Sequence, residues 1–338
     1  MSTIVLPHDG YIVLPDEQLW SIALDDETRA KLRQVYATMP SPYDDFEGAL
    51  DALRVALTVL PRAVRYRISA FRNDPAAAPS LCVSNLPRES DDELPDTPQG
   101  ERALGKSTWI SEASLLAMAQ WLGESFAYAA EKQGQLIHNV VPVPGSEMAL
   151  SNEGSLVNLD MHTEAAFFHV RPHFILLVCL RGDAQGDART TVASAIAMCR
   201  HLDPETLAVL RAPVFQLRAP QSFDKGLGDV RWSEPRPIIT GPAELPEICV
   251  NLNGVRATTP QAEQALAAVR TVLQRPGVVQ SVCLTPGDML VVNNRKALHG
   301  RTPFVPRFDG RDRWLQRGYV RSDLWDGRTH PGAPLRVF

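Results

Sequence analysis

A chain of 338 residues, 44% hydrophobic and 22% charged, is long enough to bury a sizeable core and falls in the ordinary globular range. Its net charge of −5 and scattered arginines form no basic patch for nucleic acid, and no apolar stretch reaches the roughly 20 residues of a membrane span. The opening MSTIVLPHDGYIVLP lacks the charged n-region and long apolar core of a signal peptide, so a cytoplasmic protein with no nucleic-acid or membrane partner is expected.

In chain order, residues 16–60 carry apolar residues at helical spacing in DEQLWSIALDDETRAKLRQVYATM and DDFEGALDALRVALTVL, with Pro40 and Pro42 between them and Pro61 closing the second. PSLCVSNLP reads as a short strand between prolines. The polar RESDDELPDTPQGERALG that follows is long enough to be mobile or functional rather than a simple connector. Ser111–Gly134 predicts a helix with Ser111 as N-cap and an apolar face. From about residue 135, short β-rich runs alternate with Pro- and Gly-containing turns. One helix interrupts them, capped by Thr259 with Pro260 in its first turn. Early helices and a late β-rich core predict an α+β fold built on a jelly-roll or similar barrel, with no internal repeat. The cysteines Cys82, Cys179, Cys199, Cys249 and Cys283 are odd in number and contain no CxxC pair. That excludes a zinc ribbon and suits free thiols in a reducing compartment.

Chemistry concentrates in DMHTEAAFFH. Residues i and i+2 of a strand share a face, so His162 and Glu164 project together. Alone, such a pair is a weak signal and reads first as a surface feature. Downstream, VVNNRKALHGRTPF supplies His299, directly before Gly300, and DRWLQR supplies Arg313 and Arg317. Two histidines and one carboxylate hold one face of iron(II) and leave positions for a bidentate 2-oxo acid and dioxygen. The far carboxylate of such an acid needs a fixed bidentate partner, which arginine supplies better than lysine. Zinc also accepts two histidines and a glutamate, but the helical HExxH of zinc hydrolases is absent. A metal-binding cupin that senses a small ligand without catalysis is the non-enzyme alternative.

Over roughly residues 80–325 the chain resembles the iron(II)/2-oxoglutarate-dependent oxygenases, specifically the clavaminate-synthase-like branch that hydroxylates amino acids. The resemblance rests on NVVPVPG, HTEAAFFHVRPHFILLVCLRGD, TTVAS, PGDMLVVNNRKALHGRTPF and FDGRDRWLQR. It implies a double-stranded β-helix (jelly-roll, cupin-like) core with flanking, mainly N-terminal helices. The expected organisation is one oxygenase domain over residues 1–338, with a helical segment 1–78 and a core 79–338 carrying an inserted lid at 217–240. It implies His162, Glu164 and His299 as catalytic metal ligands for Fe(II), with 2-oxoglutarate and dioxygen as cosubstrates. Arg313 would bind the far carboxylate of 2-oxoglutarate, assisted by Thr190 or its neighbour Thr191. Arg317 would hold the substrate α-carboxylate, Glu164 would also meet the α-ammonium, and His138 falls in a segment that lines the substrate pocket. Ala165 is a departure, because relatives often carry Asp there. Glu164 argues against halogenation, whose enzymes replace that ligand with a small residue.

For the far end of the substrate, the candidates are Asp224 in the lid and the pair Asn251 and Asn253. Amides donate and accept, which suits a ureido or amide group, whereas a cationic side chain would favour carboxylates there. Citrulline is therefore favoured over arginine or lysine, although Asp224 and Asp229 offer negative charge and turn chemistry would equally account for the asparagines. The expected partner is a small-molecule amino acid in specialised peptide biosynthesis, such as that of antibiotics. The alternatives are a carrier-tethered amino acid or a desaturation or cyclisation outcome. His8, His201 and His330 are expected to be exposed, and His169 and His173 show no consistent face with His162.

Overall fold

The computed structural model describes residues 18–99, 105–220, 230–329 and 335–338. The strands are β1 (Leu19–Ala23), β2 (Ser80–Ser84), β3 (Glu124–Phe126), β4 (Ile137–Val140), β5 (Leu159–His162), β6 (Phe174–Arg181), β7 (Thr190–Ser194), β8 (Phe215–Leu217), β9 (Ile239–Thr240), β10 (Glu247–Ile248), β11 (Val255–Ala257), β12 (Val279–Val282), β13 (Met289–Asn293), β14 (Ala297–Arg301) and β15 (Trp314–Arg321). The helices are α1 (Asp26–Tyr36), α2 (Phe46–Ala52), α3 (Ala56–Val59), α4 (Arg62–Asn73), α5 (Ile110–Leu122), α6 (Ala195–Cys199), α7 (Pro204–Leu210) and α8 (Pro260–Leu273). None of the described helices is long and apolar enough to cross a membrane.

Two sheets make the core. One is seven-stranded, ordered β1-β2-β13-β6-β15-β3 with β4 also on β15; the other is four-stranded, ordered β12-β7-β14-β5. Apart from the parallel β1–β2 pair, their strand pairings are antiparallel. Strand alternation sorts the apolar side chains into three layers. Ile175, Leu177, Leu290, Val292 and Leu315 of the larger sheet meet Val192 and Ala297 of the smaller one. Leu176, Val178, Met289 and Val291 face the other way, onto α1 and α5. Ala193 and Leu298 turn outward onto α7 and α8. Glycine lets α5 lie close on β15, since a Cβ at Gly318 would stand 2.7 Å from Leu115 Cδ2.

Several expectations are corrected. The 1–78 segment is not uniformly helical: LWSIA pairs with β2 as a strand, and the helix begins only after Asp25, whose carboxylate caps Thr28 N–H at 2.6 Å. Five residues are too few for periodicity to separate strand from helix. After Pro61 comes α4, whose Val64, Ile68 and Phe71 carry the helical spacing. The helix placed at Ser111–Gly134 starts at Ile110 and stops at Leu122, where Gly123 takes φ 151° and the chain turns into β3. Its cap is not Ser111. Glu89, fully buried in the polar loop, accepts from the N–H groups of Ile110 (2.7 Å) and Ser111 (3.3 Å). Lys106 Nζ lies 2.9 Å from Glu89 and also pairs with Glu112, which accepts from Gln316 Nε2 at 2.8 Å. The described part of that loop is thus an anchor between α5 and β15. Thr259 caps α8 as expected. The five cysteines are unpaired. Around the expected lid, Phe215 bridges Arg236 and Arg218 bridges Trp232; residues 221–229, including Asp224 and Asp229, lie outside the described residues.

Candidate active site

β5 and β14 are neighbours in the smaller sheet, and their register sets His162 directly opposite His299. The two rings stand 4.2 Å apart between centroids, on the face turned towards the larger sheet. A Cβ at Gly300 would come within 2.4 Å of Leu159 O, so glycine beside His299 permits this close approach. Glu164 follows β5 in a turn where Ala165 takes φ 54°, a left-handed conformation that costs a non-glycine residue about 1 kcal/mol. Asn294, fully buried in the β13–β14 turn, holds that bend. Its Oδ1 accepts from Glu164 N–H at 2.8 Å, and its Nδ2 donates to Glu164 O at 3.1 Å and Pro172 O at 2.9 Å.

His162, Glu164 and His299 each offer one donor atom, and the three atoms lie within 4.8 Å of one another. His162 Nδ1 lies 2.8 Å from Asp160 O, which makes it the protonated nitrogen and leaves the Nε2 lone pair free. His299 is held well below the ordinary imidazole range, first by burial and then by His162 and Arg317, so it is neutral. Its Nε2 stands 3.9 Å from Glu164 Oε2, beyond hydrogen-bond reach. Two imidazoles and a carboxylate that converge without satisfying one another fit a divalent iron.

The triad opens into a cavity of about 780 Å³, also lined by Arg313, Arg317, Thr190, Asn251, Asn253 and Arg218. Arg313, Leu315 and Arg317 alternate into it from the start of β15, while Trp314 and Gln316 point away to Asn139 and Glu112. Arg313 is buried and has no carboxylate partner among the described residues; burial lowers its pKa. Phe304 lies beneath it at 5.9 Å and beneath Arg301 at 5.1 Å. Arg301 spends its donors on the carbonyls of Gly154, Val157 and Thr302, and burial, then Arg313, pushes its pKa down to about 10. Thr190 sits on the cavity wall, whereas the Thr191 hydroxyl turns to Met161 Sδ at 3.3 Å, as strand alternation requires.

Arg317 donates to Glu164 at 3.2 Å and to Glu131 at 2.5 Å. Burial opposes its charge, but Tyr319, Glu164 and Glu131 outweigh burial and raise its pKa. His138 is not a wall residue. It sits opposite Arg317 in the β4–β15 register, accepts from Nη2 on Nδ1 at 2.9 Å and donates from Nε2 to Gln135 O at 2.7 Å. Burial, then Arg317, takes its pKa down to about 4, so it backs the guanidinium as a neutral ring. Asn251 bridges His162, but its Oδ1 accepts from Asn253 N–H at 3.0 Å. The two amides are therefore not equally free, and turn chemistry claims half of Asn251. His169 and His201 are exposed; His173 is partly buried and binds Ser322; His8 and His330 lie outside the described residues. Sequence reasoning missed Glu131, Asn294, Arg301 and Arg218. Only Asn294 carried a hint, as the second amide of NNRKALH.

The chain is similar to several known proteins. The family described as "Taurine catabolism dioxygenase TauD, TfdA family" matches residues 105–319. L-asparagine oxygenase of Streptomyces coelicolor is 33% identical, with 92% of each chain covered. L-lysine 3-hydroxylase of Catenulispora acidiphila is 34% identical over 80% of this chain and 75% of its own. A crystal structure of asparagine oxygenase with Fe(II), 2S,3S-3-hydroxyasparagine and succinate superposes with a TM-score of 0.85 at 32% identity, covering 94% of this chain and 99% of that one.

Proposed function

The chain belongs to the TauD, TfdA dioxygenase family as an Fe(II)/2-oxoglutarate-dependent amino-acid hydroxylase, and we propose that its substrate is a free polar L-α-amino acid oxidised at Cβ or Cγ, citrulline foremost. Membership removes the sensor alternative. The observation that carries the substrate reading is the single cavity in which the three metal-ligand candidates, two buried arginines and an amide-bearing turn converge.

In this reading His162, Glu164 and His299 hold the iron. When bound, it supplies the activation of dioxygen coupled to oxidative decarboxylation of 2-oxoglutarate. Arg313, with no carboxylate partner among the described residues, takes the far carboxylate of 2-oxoglutarate in bidentate fashion, with the Thr190 hydroxyl beside it. Arg317 takes the substrate α-carboxylate. Glu131 and Glu164, now paired with Arg317, receive the α-ammonium, so a zwitterion replaces an internal ion pair without leaving a buried charge unmatched. Asn251 Nδ2, with its Oδ1 already engaged, and the Asn253 amide meet the side-chain end. Gripping both ends fixes which carbon faces the oxidant. A place in specialised peptide biosynthesis follows from a product that is a hydroxylated free amino acid.

The test supplies Fe(II), 2-oxoglutarate and ascorbate with citrulline, asparagine, arginine, ornithine and lysine. It reads succinate together with the mass gain of one oxygen. Citrulline should stimulate succinate formation, and folded His162→Ala should abolish it. Arg313→Lys should weaken 2-oxoglutarate use far more than metal binding; equal loss of both would count against its role.

A further inference from the structure

The wall at the exit of β8 presents hydrogen-bond donors. Arg218 is fixed there through its backbone, its N–H donating to Gly254 O at 2.7 Å. Its side chain lines the cavity, its Nε is buried with no partner, and among the described residues no carboxylate pairs with it. Gly254 lies between Arg218 and Asn251, since a Cβ built on it would be 3.5 Å from both Arg218 Cβ and Asn251 Cγ. Asn251 has already committed its Oδ1 to Asn253 N–H, so Nδ2 is what it can offer a ligand. The lining lysine, Lys132, is matched by Glu153 at 2.6 Å. Asp160, the lining carboxylate without a cationic partner among the described residues, is exposed on β5.

We infer that Arg218 and Asn251 form a specificity subsite for an acceptor oxygen at the end of the substrate side chain. Resting on the amino-acid-hydroxylase reading, this names the substrate class: side chains ending in a carboxamide, ureido or carboxylate group, and not in an ammonium or guanidinium. Arg218 can give such an oxygen two N–H bonds in a fixed plane. A cationic end would instead meet an unmatched guanidinium, a repulsion that rejects as well as a contact selects.

Calorimetric titration of the anaerobic enzyme loaded with Fe(II) and 2-oxoglutarate tests this with L-citrulline, L-glutamine, L-glutamate, L-arginine and L-lysine. Wild type should bind an acceptor-ended amino acid at least about 10-fold more tightly than the cationic ones. Arg218→Ala should shrink that ratio roughly 10- to 100-fold, the span of a lost charge-assisted hydrogen bond, and Arg218→Glu should invert it. Glutamate against glutamine and citrulline separates a carboxylate from a neutral oxygen within the class. Tightest wild-type binding of arginine or lysine, no binding of any acceptor-ended amino acid, or an unchanged ratio in folded Arg218→Ala each overturns the assignment. An Asp160→Asn variant that abolishes binding of a preferred cationic amino acid would transfer the role to Asp160. If acceptor-ended amino acids bind selectively yet yield no succinate in air, the subsite stands and the hydroxylase reading fails.

Discussion

Replacing Asn294 with leucine, which is close in volume but cannot hydrogen-bond, tests whether this amide positions Glu164. The change removes three hydrogen bonds, two to the backbone of Glu164 and one to Pro172. At about 1–2 kcal/mol for each group left unpaired, the loss is about 3–6 kcal/mol. For 338 residues at roughly 2.1 cal/mol/K each, the unfolding entropy is about 0.7 kcal/mol/K, so Tm should fall by about 4–9 °C. The more telling effect is on metal. Without the amide, the left-handed Ala165 loses what holds it and the Glu164 carboxylate is no longer aimed at the histidines. Mn(II) affinity, read by the loss of free-ion EPR signal, should drop roughly 10- to 100-fold, the usual cost of losing a group that orients a ligand. Asn294→Asp keeps only the acceptor for Glu164 N–H and should bind more weakly than wild type. A folded Asn294→Leu protein with lower Tm and wild-type Mn(II) affinity would show that Asn294 merely stabilises the turn.

Three further outcomes follow from the same structure. Lys106→Met leaves Glu89 and Glu112 buried without their cation and should cost about 3–5 kcal/mol in urea unfolding; a loss under about 1 kcal/mol would mean the three charges are not coupled. Ala165→Gly should change stability by no more than about 1 kcal/mol, in the stabilising direction, whereas Ala165→Val should destabilise, because a β-branched residue tolerates a φ of 54° poorly. His138 titrates at about 4 in the folded protein, beside Arg317, Glu131 and Lys132, against 6.5 for an ordinary histidine. Its contribution is complete above pH 6.5 and is lost as pH falls towards 4, by up to about 3 kcal/mol. His138→Gln should flatten the Tm-versus-pH curve over that interval relative to wild type; parallel curves would contradict the burial of a neutral ring.

The meeting of His162, Glu164 and His299 was legible in residue types with few other uses in that order. Alternation turns His162 inward on β5, but β5 stops there and the following turn, not a shared strand face, brings Glu164 in. Alternation also decides between Thr190 and Thr191, although only the register with β14 shows which face is the cavity. What escaped was set by distant pairing. Glu131 lies in a turn with no pattern of its own and matters because β15 brings Arg317 against it. His138 reads as a pocket residue until the β4–β15 register places it behind that guanidinium. LWSIA becomes a strand because β2 offers it an edge, and Glu89 replaces the local cap of α5 from another stretch of chain. Each outcome depends on a partner far away in sequence, which composition and periodicity cannot name.

β15 is hydrogen-bonded along both edges, to β6 on one side and to β3 and β4 on the other, and it is buried throughout. Arg313 stands one residue before this strand and Arg317 within it, four residues apart in the chain. Pairing on both edges holds the backbone of Arg317 in place, while Arg313 is set across the irregularity between Trp314 and Leu315. In the proposed reading, one paired element thus carries the anchors for both carboxylates. The proposed specificity subsite, Arg218 and the Asn251–Gly254 turn, lies off this strand, so on that proposal a change there alters which side chain is gripped without moving the two arginines.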